Sequence, residues 1–221
     1  MRIGLFGGTF DPVHIGHLRA ALEIRELFNL NRIYFIPSAV PPHKSIDGIA
    51  SPDARLEMIR RAVGNDPGLV VSDIEQMRSG VSYTIDTLAA FSAQDENVRQ
   101  RFWILGMDAF LEIHTWKSFR EILQQIPVIV MKRPFEKAFN PFDAQADIVT
   151  DYLATHLTGY RYVPEHSAFF HPDLHPVYLA AVTALDISSF AIRNLIRQGR
   201  SIRFLTPDAV WEYITRKGLY L

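Results

Sequence analysis

Two histidines placed three residues apart carry the strongest chemical signal in this chain. His14 and His17 belong to the string Gly-Gly-Thr-Phe-Asp-Pro-Val-His-Ile-Gly-His, which occupies residues 7–17 directly after an apolar run. Residues three apart share one face of a helical turn, so both imidazoles are expected side by side at the positive end of a helix dipole. Two donors in that position suit a polyphosphate, whose negative charge grows on particular oxygens during group transfer.

The neighbours of the histidines fit the same chemistry. Gly7 and Gly8 lack a Cβ, so the chain is expected to turn tightly off a strand and bring backbone N–H groups close to an anion. Thr9 adds a hydroxyl donor at this turn, and Gly16 is expected to leave room for a bulky nucleotide. The sequence therefore predicts a phosphate-binding unit made of a strand, a glycine turn and a helix.

Better-known glycine and histidine motifs match less well. The Gly-Lys-Ser/Thr ending of a Walker loop and the three spaced glycines of a dinucleotide fingerprint are both absent. A metal site on His14 and His17 would lack the glutamate and the four-residue spacing of the zincin motif. A purely structural pair, capping backbone groups, is the remaining alternative.

The string at residues 7–17 resembles the His-x-Gly-His signature of the class I synthetase-like nucleotidyltransferases. Its longer form resembles the nicotinate-mononucleotide adenylyltransferases in particular. Later segments resemble the same family over nearly the whole chain. They are Pro-Pro-His-Lys at 41–44, Ser-Tyr-Thr-Ile-Asp-Thr-Leu at 82–88, Gly-Met-Asp at 106–108 followed by Trp116, and Ile-Ser-Ser at 187–189 followed by Arg193.

The resemblance implies adenylyl transfer from ATP to nicotinate mononucleotide, which gives deamido-NAD and pyrophosphate in NAD biosynthesis. The catalytic residues that it implies are His14, His17, Lys44 and Arg193. The implied ATP-binding residues are Gly7, Gly8, Thr9, Phe10, Gly16, His17, Gly106, Asp108, Ile187, Ser188, Ser189 and Arg193. The implied residues for the mononucleotide are His43, Lys44, Tyr83, Thr84 and Trp116.

Adenylyl transfer asks little covalent chemistry of the protein. The 5′-phosphate is already ionised and nucleophilic, so the protein must hold two anions in line and stabilise developing charge. The expected cofactor is Mg²⁺, bound mainly through the ATP phosphates rather than at a protein metal site. A phosphate neighbour is expected to favour protonated imidazoles.

The resemblance also assigns individual contacts. Gly106 and Asp108 would meet the ATP ribose, Trp116 would stack on the pyridine ring, and the backbone near Tyr83 and Thr84 would bind the nicotinate carboxylate. Ordinary packing is the alternative for the two aromatic residues. A helix N-cap is the alternative for the aspartate.

One position departs from the family pattern. The usual Ile-Ser-Ser-Thr is Ile-Ser-Ser-Phe here, with Phe190 in place of the threonine. A hydroxyl expected to touch the ATP phosphates is therefore missing. The sequence predicts weakened ATP binding rather than inactivity.

Composition fits a compact enzyme. The 221 residues are 48% hydrophobic, which predicts one nucleotidyltransferase domain over 1–221, with an excursion at about 134–176. The 23 basic and 24 acidic residues nearly cancel, so the expected partners are ATP and nicotinate mononucleotide, with neither nucleic acid nor membrane. A homo-oligomer is compatible with the sequence, and the cytoplasm is the expected compartment. The absence of cysteine excludes a disulfide framework and a thiolate nucleophile.

Alternating apolar runs and helical patterns predict an α/β fold, a Rossmann-like doubly wound parallel sheet with helices on both faces and a small C-terminal helical part. Strands are expected at 2–6, 32–36, 69–72, 101–105, 127–131 and 177–184. Helices are expected to start at Ser51-Pro52 and at Thr206-Pro207-Asp208, the latter stopping at Gly218. The motif residues follow the carboxyl ends of these strands, where such sheets bind ligands.

The excursion interrupts this alternation. It is rich in aromatic residues, prolines and histidines, which argues against disorder and predicts an ordered segment packed on the domain or on a neighbouring subunit. A helix is expected over 143–157. A zinc cluster of His166, His171 and His175 is the alternative.

Three other functions share part of the pattern. Another nucleotidyltransferase, acting on nicotinamide mononucleotide, pantetheine phosphate or a cytidylyl acceptor, would keep the His14–His17 pair. A class I aminoacyl-tRNA synthetase also uses His-Ile-Gly-His, but its Lys-Met-Ser-Lys-Ser partner is absent. A non-catalytic nucleotide sensor is the non-enzyme alternative, against which stand both histidines together with Lys44 and Arg193.

Overall fold

The computed structural model describes residues 1–40, 48–94, 98–132 and 141–221 of the chain. Within these ranges one sheet contains the strands Arg2–Gly8 (β1), Arg32–Pro37 (β2), Leu69–Val71 (β3), Gln100–Gly106 (β4), Val128–Lys132 (β5), Arg161–Val163 (β6), Ala168–Phe170 (β7) and Val177–Ala181 (β8). Their order in the sheet is β3-β2-β1-β4-β5-β8-β7-β6.

Helices occupy most of the connections between the strands. They are Ile15–Leu27 (α1), Pro52–Val63 (α2), Thr84–Gln94 (α3), Met107–Leu111 (α4), Phe119–Gln125 (α5), Pro141–His156 (α6), Ser189–Arg197 (α7) and Asp208–Lys217 (α8). Short 3-10 helices lie at Ile113–Thr115 and Pro164–His166. No helix in these parts of the chain is long and apolar enough to cross a membrane.

Two separate hydrophobic layers show that the sheet is doubly wound. Alternate residues of β1 and β4 point to opposite faces, because side chains alternate along a strand. Ile3 and Trp103 join the layer formed with α3, α4, α5 and α6. Phe6 and Phe102 join the layer formed with α1, α2, α7 and α8. The predicted Rossmann-like α/β class is confirmed.

The helix signals in the sequence were mostly correct. The Ser51 hydroxyl accepts from the Ala54 N–H at 3.2 Å with proline at the next position, and Gly218 ends α8 with φ 61°. The start signal Thr206-Pro207-Asp208 predicts Thr206 as the N-cap of α8. The N-cap is Pro207 instead, so the helix begins one residue later than predicted. Helix α6 covers Pro141–His156 against the expected 143–157.

The excursion extends the sheet. Strands β6 and β7 form an antiparallel pair, and β7 continues antiparallel onto β8. The other neighbouring strands pair in parallel, as the continuous apolar runs predicted. The segment is therefore ordered in its described part, as expected, and its strands pair with the domain's own sheet.

The zinc alternative for the excursion fails. No group of three or more histidines, cysteines or acids in the described ranges could hold a metal ion. The ring of His171 is engaged locally, with Nδ1 accepting from the Asp173 N–H at 3.0 Å and Nε2 3.2 Å from the Thr158 carbonyl oxygen.

The strand order places a topological switch at β1. The chain moves from β1 to β2 and β3 on one side, and then returns to β4 on the other side. The carboxyl ends of β1 and β4 therefore diverge into loops on opposite sides of a crevice, the usual ligand position in such sheets.

Candidate active site

The two histidines of the signature lie together, as their spacing predicted. His14 is the N-cap of α1, and its ring stacks on that of His17 with centroids 3.6 Å apart and planes 25° apart. His14 is buried, whereas His17 is partly exposed between its stacking partner and the edge of Phe10, 5.0 Å away. The stack fixes the orientation of the exposed ring.

One hydrogen bond sets the chemistry of His17. Its Nδ1 lies 3.3 Å from the backbone nitrogen of His14 and accepts that N–H. A ring nitrogen that accepts carries no proton, so Nε2 bears the proton and is the donor of this neutral tautomer. In this geometry Nε2 of His17 is the ring nitrogen that can donate to a ligand; the protonated form with phosphate bound stays a prediction.

Gly7 and Gly8 do not form the predicted tight turn, whereas their contact with a bound anion stays a prediction. Both belong to β1 itself, and neither has a positive φ, so neither makes a tight turn. A Cβ on Gly7 would lie 2.6 Å from the ring of Trp103, and one on Gly8 would lie 2.9 Å from the ring of Phe10. The glycines admit two aromatic rings against the strand end.

Gly16 lies close to the buried imidazole. A Cβ there would lie 3.1 Å from Nδ1 of His14, which is tight packing. The room predicted beside Gly16 is therefore filled on this side by His14, and its contact with ATP stays a prediction. At Gly106, by contrast, an added Cβ would meet no atom within 4 Å, so open space does lie beside that glycine.

A cavity of about 240 Å³ opens at the carboxyl ends of β1 and β4. Its lining includes Gly106 at the end of β4, Tyr83 and Thr84 at the start of α3, and Trp116 after the 3-10 helix. These four sequence-predicted residues come from three separate segments and meet at one pocket. A flat aromatic wall facing a helix N-terminus suits a planar, anionic group.

A second, more polar cavity of about 140 Å³ lies beside the first. It is lined by His17, by Ser189 and Arg193 of α7, and by Asp11 of the loop between β1 and α1. Thr9 lines both cavities. The aromatic cavity and the polar cavity therefore meet at Thr9, which directly follows β1.

Comparison with known proteins agrees with this geometry. The sequence matches the cytidylyltransferase-like family over residues 5–195. A relative from Desulfatibacillum aliphaticivorans named "Probable nicotinate-nucleotide adenylyltransferase" is 45% identical over the full length of both chains. A relative of the same name from Geobacter sp. (strain M21) is 42% identical over 100% of this chain and 99% of its own.

The chain belongs to the nicotinate-nucleotide adenylyltransferase family. Among solved structures, the Plasmodium falciparum nicotinic acid mononucleotide adenylyltransferase complexed with NaAD has a TM-score of 0.72 and 19% identity, covering 99% of this chain and 97% of its own. The same protein complexed with APC gives a TM-score of 0.69 at 17% identity. At such identities the structural likeness concerns the fold, which these proteins share along nearly the whole chain.

Three charged residues that line the adenylyltransferase pocket, Lys117, Glu75 and Glu112, escaped the sequence analysis. Lys117 lines the aromatic cavity, with its Nζ 4.8 Å from the centre of the Tyr83 ring and 3.1 Å from a carboxylate oxygen of Asp86. Glu75 is buried at the same cavity and accepts the Thr87 hydroxyl at 2.7 Å through one oxygen. Only their position beside an aromatic cavity identifies them, and that requires the fold.

The buried Arg55 was also missed. Its guanidinium donates to three backbone carbonyls, those of Thr9 at 3.0 Å, Ala50 at 3.0 Å and Ala39 at 3.2 Å. Burial lowers the pKa of Arg55, while the carboxylate of Asp11 opposes that shift. One side chain of α2 thus contacts two connections beside the crevice, the one from β1 to α1 and the one from β2 to α2.

The serines of the α7 signature are occupied locally. Ser188 is the N-cap, accepting from the Ala191 N–H at 3.1 Å, and the Ser189 hydroxyl donates to the Pro12 carbonyl at 2.9 Å. Only Ser189 lines the polar cavity among these residues, and Ile187 precedes the cap without reaching it. The first N–H groups of α7 have no carbonyl partner one turn earlier, so they can serve an anion.

Five of the predicted residues that the structure describes line neither cavity: His14, Gly16, Asp108, Ile187 and Ser188. His43 and Lys44 lie outside the described residues. Asp108 is exposed on the first turn of α4, where Gly106 and not the aspartate is the N-cap. Among the described lining residues of the two cavities Asp108 does not occur. Its role toward the ATP ribose stays a prediction.

Proposed function

We propose that this chain transfers the adenylyl group of ATP to nicotinate mononucleotide, forming deamido-NAD and pyrophosphate. The observation that carries the proposal is the junction of two unlike cavities at Thr9. One has an aromatic wall suited to a pyridine nucleotide, and the other has the imidazole and guanidinium donors suited to a polyphosphate. Two phosphates brought to the shared residue would be adjacent.

The reaction needs alignment more than covalent help. An oxygen of the mononucleotide 5′-phosphate attacks the α-phosphorus of ATP, a new P–O bond forms, and the bond to the pyrophosphate oxygen breaks. No proton has to be removed from the attacking phosphate, so no general base is required. Holding the reactants in line replaces a bimolecular encounter with a local one.

His17 and Arg193 are the groups that we assign to the charge that develops. The Nε2–H of His17 would donate to phosphate oxygens, from a ring held by stacking on His14. Arg193 would contact the β- and γ-phosphates from the first turns of α7. Preorganised donors of this kind stabilise the transition state without reorganising during the reaction.

Selection of a nicotinate ring follows from the aromatic cavity. Trp116 would stack on the pyridine, and the N-terminus of α3 at Tyr83 and Thr84 would receive the carboxylate. Lys117 adds positive charge at the same place, attenuated by its ion pair with Asp86 and by solvent. An uncharged carboxamide gains less from these groups than a carboxylate does.

Magnesium would come with the nucleotide. In the described ranges no cluster of three or more acids or histidines could form a protein cage for it. Asp11, the acid beside the polar cavity, already accepts hydrogen bonds from Tyr220 and Ala50. Mg²⁺ characteristically keeps several waters and takes oxygens from substrate phosphates, and its charge would screen the two anions from each other.

Identifying the product tests this proposal directly. The purified protein is incubated with ATP, Mg²⁺ and one acceptor at a time: nicotinate mononucleotide, nicotinamide mononucleotide or pantetheine phosphate. Mass spectrometry is expected to show deamido-NAD in the first reaction, formed faster than NAD in the second. Formation of a dinucleotide from neither pyridine acceptor would overturn the proposal.

A further inference from the structure

The end of the chain returns to the loop that follows β1. Gly218, with φ 61°, ends α8, and two residues later the Tyr220 hydroxyl donates to Oδ1 of Asp11 at 2.6 Å. These two residues are 209 positions apart in sequence. The ring of Tyr220 also approaches Met58 of α2, with its hydroxyl 4.0 Å from the sulfur.

Asp11 uses its two carboxylate oxygens for different partners. Oδ1 accepts from Tyr220 and also from the Ala50 N–H at 3.0 Å. Oδ2 lies 3.5 Å from Nη1 of Arg193, and the Asp11 carbonyl accepts from the same Nη1 at 2.7 Å. The carboxyl side chain is 2% exposed, so its orientation is set by these partners rather than by water.

The Tyr220 hydroxyl stays protonated and therefore remains a hydrogen-bond donor. Burial raises its pKa, and the neighbouring Asp11 carboxylate raises it further. The phenol therefore keeps its proton at any pH at which the enzyme would work. A hydrogen bond from a neutral donor to a buried carboxylate is among the stronger kinds.

We infer that Tyr220 is a positioning residue for ATP binding: through Asp11 it holds the Arg193 guanidinium at the cavity shared with His17 and Thr9. This inference rests on the proposed function, in which that cavity receives the ATP phosphates. A free arginine side chain loses rotamer freedom when it binds an anion. If the folded protein already fixes the Arg193 side chain, this entropy is lost during folding and not when ATP binds.

The test is Tyr220→Phe, which keeps the ring and removes only the hydroxyl. Because Arg193 would hold the phosphates in ground and transition states alike, the KM for ATP is expected to rise about five- to tenfold while kcat stays within about twofold. The KM for nicotinate mononucleotide is expected to stay unchanged. Tyr213→Phe is the matched control, since the Tyr213 hydroxyl on α8 makes no hydrogen bond within the described residues.

A double-mutant cycle separates positioning from a general loss of stability. Tyr220→Phe is made again in an Arg193→Ala background, and circular dichroism identifies a temperature at which all four proteins are folded. If Tyr220 acts through Arg193, its substitution has no further effect on the KM for ATP in that background. Equal effects in both backgrounds, or an unchanged KM in the single variant, would overturn the inference.

Calorimetry measures the affinity for a non-hydrolysable ATP analogue without any reaction, so it tests the inference independently of the proposed function. A protein that makes no deamido-NAD would refute that function, yet its affinity for the analogue could still be compared with that of Tyr220→Phe. Weaker binding by the variant than by Tyr213→Phe supports the inference. Equal binding by the two variants contradicts it.

Discussion

At the scale of single residues, one exposed aromatic ring lies near the arginine of the polar cavity. Phe190 is the second residue of α7, is 63% exposed and lies 6.0 Å from the Arg193 guanidinium. Its ring buries little surface and donates no hydrogen bond beside the groups that we assign to ATP. The chain thus has a phenyl ring at the position where the family pattern has a threonine hydroxyl.

Phe190→Thr is expected to lower the KM for ATP about threefold, because it adds a hydroxyl at the helix N-terminus. Initial rates at saturating nicotinate mononucleotide give the value. Phe170→Thr, on strand β7 between β8 and β6, is the control and is expected to leave the KM for ATP unchanged. An unchanged or higher KM in the Phe190 variant would count against this account of the missing donor.

The residue types predicted which residues lie at the site better than they predicted the role of each residue. The spacing of His14 and His17 was sufficient to place the two rings together, since that contact is local. The tight turn predicted at Gly7 was wrong, because this glycine lies within β1 and admits the ring of Trp103. Sequence alone does not show that Trp103, far along the chain, packs on Gly7.

At the scale of elements, the excursion supports the segment that carries Trp116. The Tyr152 hydroxyl of α6 lies 2.8 Å from Nδ1 of His114 and accepts from its backbone N–H at 3.1 Å. His156, one turn later, stacks on the His114 ring with centroids 4.0 Å apart. Helix α6 thereby holds the 3-10 helix directly before the aromatic wall of the cavity.

Tyr152→Phe is therefore expected to raise the KM for nicotinate mononucleotide about threefold, through a less ordered Trp116, with the KM for ATP unchanged. Burial raises the pKa of Tyr152, so the missing hydroxyl is a protonated one at neutral pH. Steady-state kinetics with each substrate varied in turn measure the effect. Tyr162→Phe in β6 is the control, and equal values for both variants would refute the supporting role.

The strands differ in how clearly their sequences predict them. The parallel strands are continuous apolar runs covered on both faces, so their positions were predictable. Strands β6 and β7 have three residues each, too few to establish an alternating pattern. Their pairing depends on β8, which offers an edge only once the sheet has formed.

At the scale of the whole molecule, two partly buried phenols link folding to alkaline pH. Burial raises the pKa of Tyr160 and of Tyr220 above the ordinary value of 10.0. Their stabilising contribution is complete below pH 10 and is lost as the pH rises, because only the unfolded chain releases these protons freely. Above the ordinary pKa of tyrosine, ionisation of each phenol in the unfolded chain lowers the free energy of unfolding by at most about 1.4 kcal/mol per pH unit.

Urea denaturation between about pH 9 and pH 11 is the appropriate measurement. Tyr160→Phe is expected to lower stability at neutral pH, since the Tyr160 hydroxyl donates to the His175 carbonyl at 2.8 Å. The same variant is expected to flatten the alkaline decline. A decline as steep as that of the parent protein would show that Tyr160 does not titrate with folding.

The most direct test of the account concerns the imidazole at the start of α1. With ATP, Mg²⁺ and nicotinate mononucleotide present, His17→Ala is predicted to release pyrophosphate at least about a hundredfold more slowly than the parent protein. His166→Ala, an exposed histidine at the edge of the sheet, is predicted to keep the parent rate. Pyrophosphate release by His17→Ala at the parent rate would contradict the account.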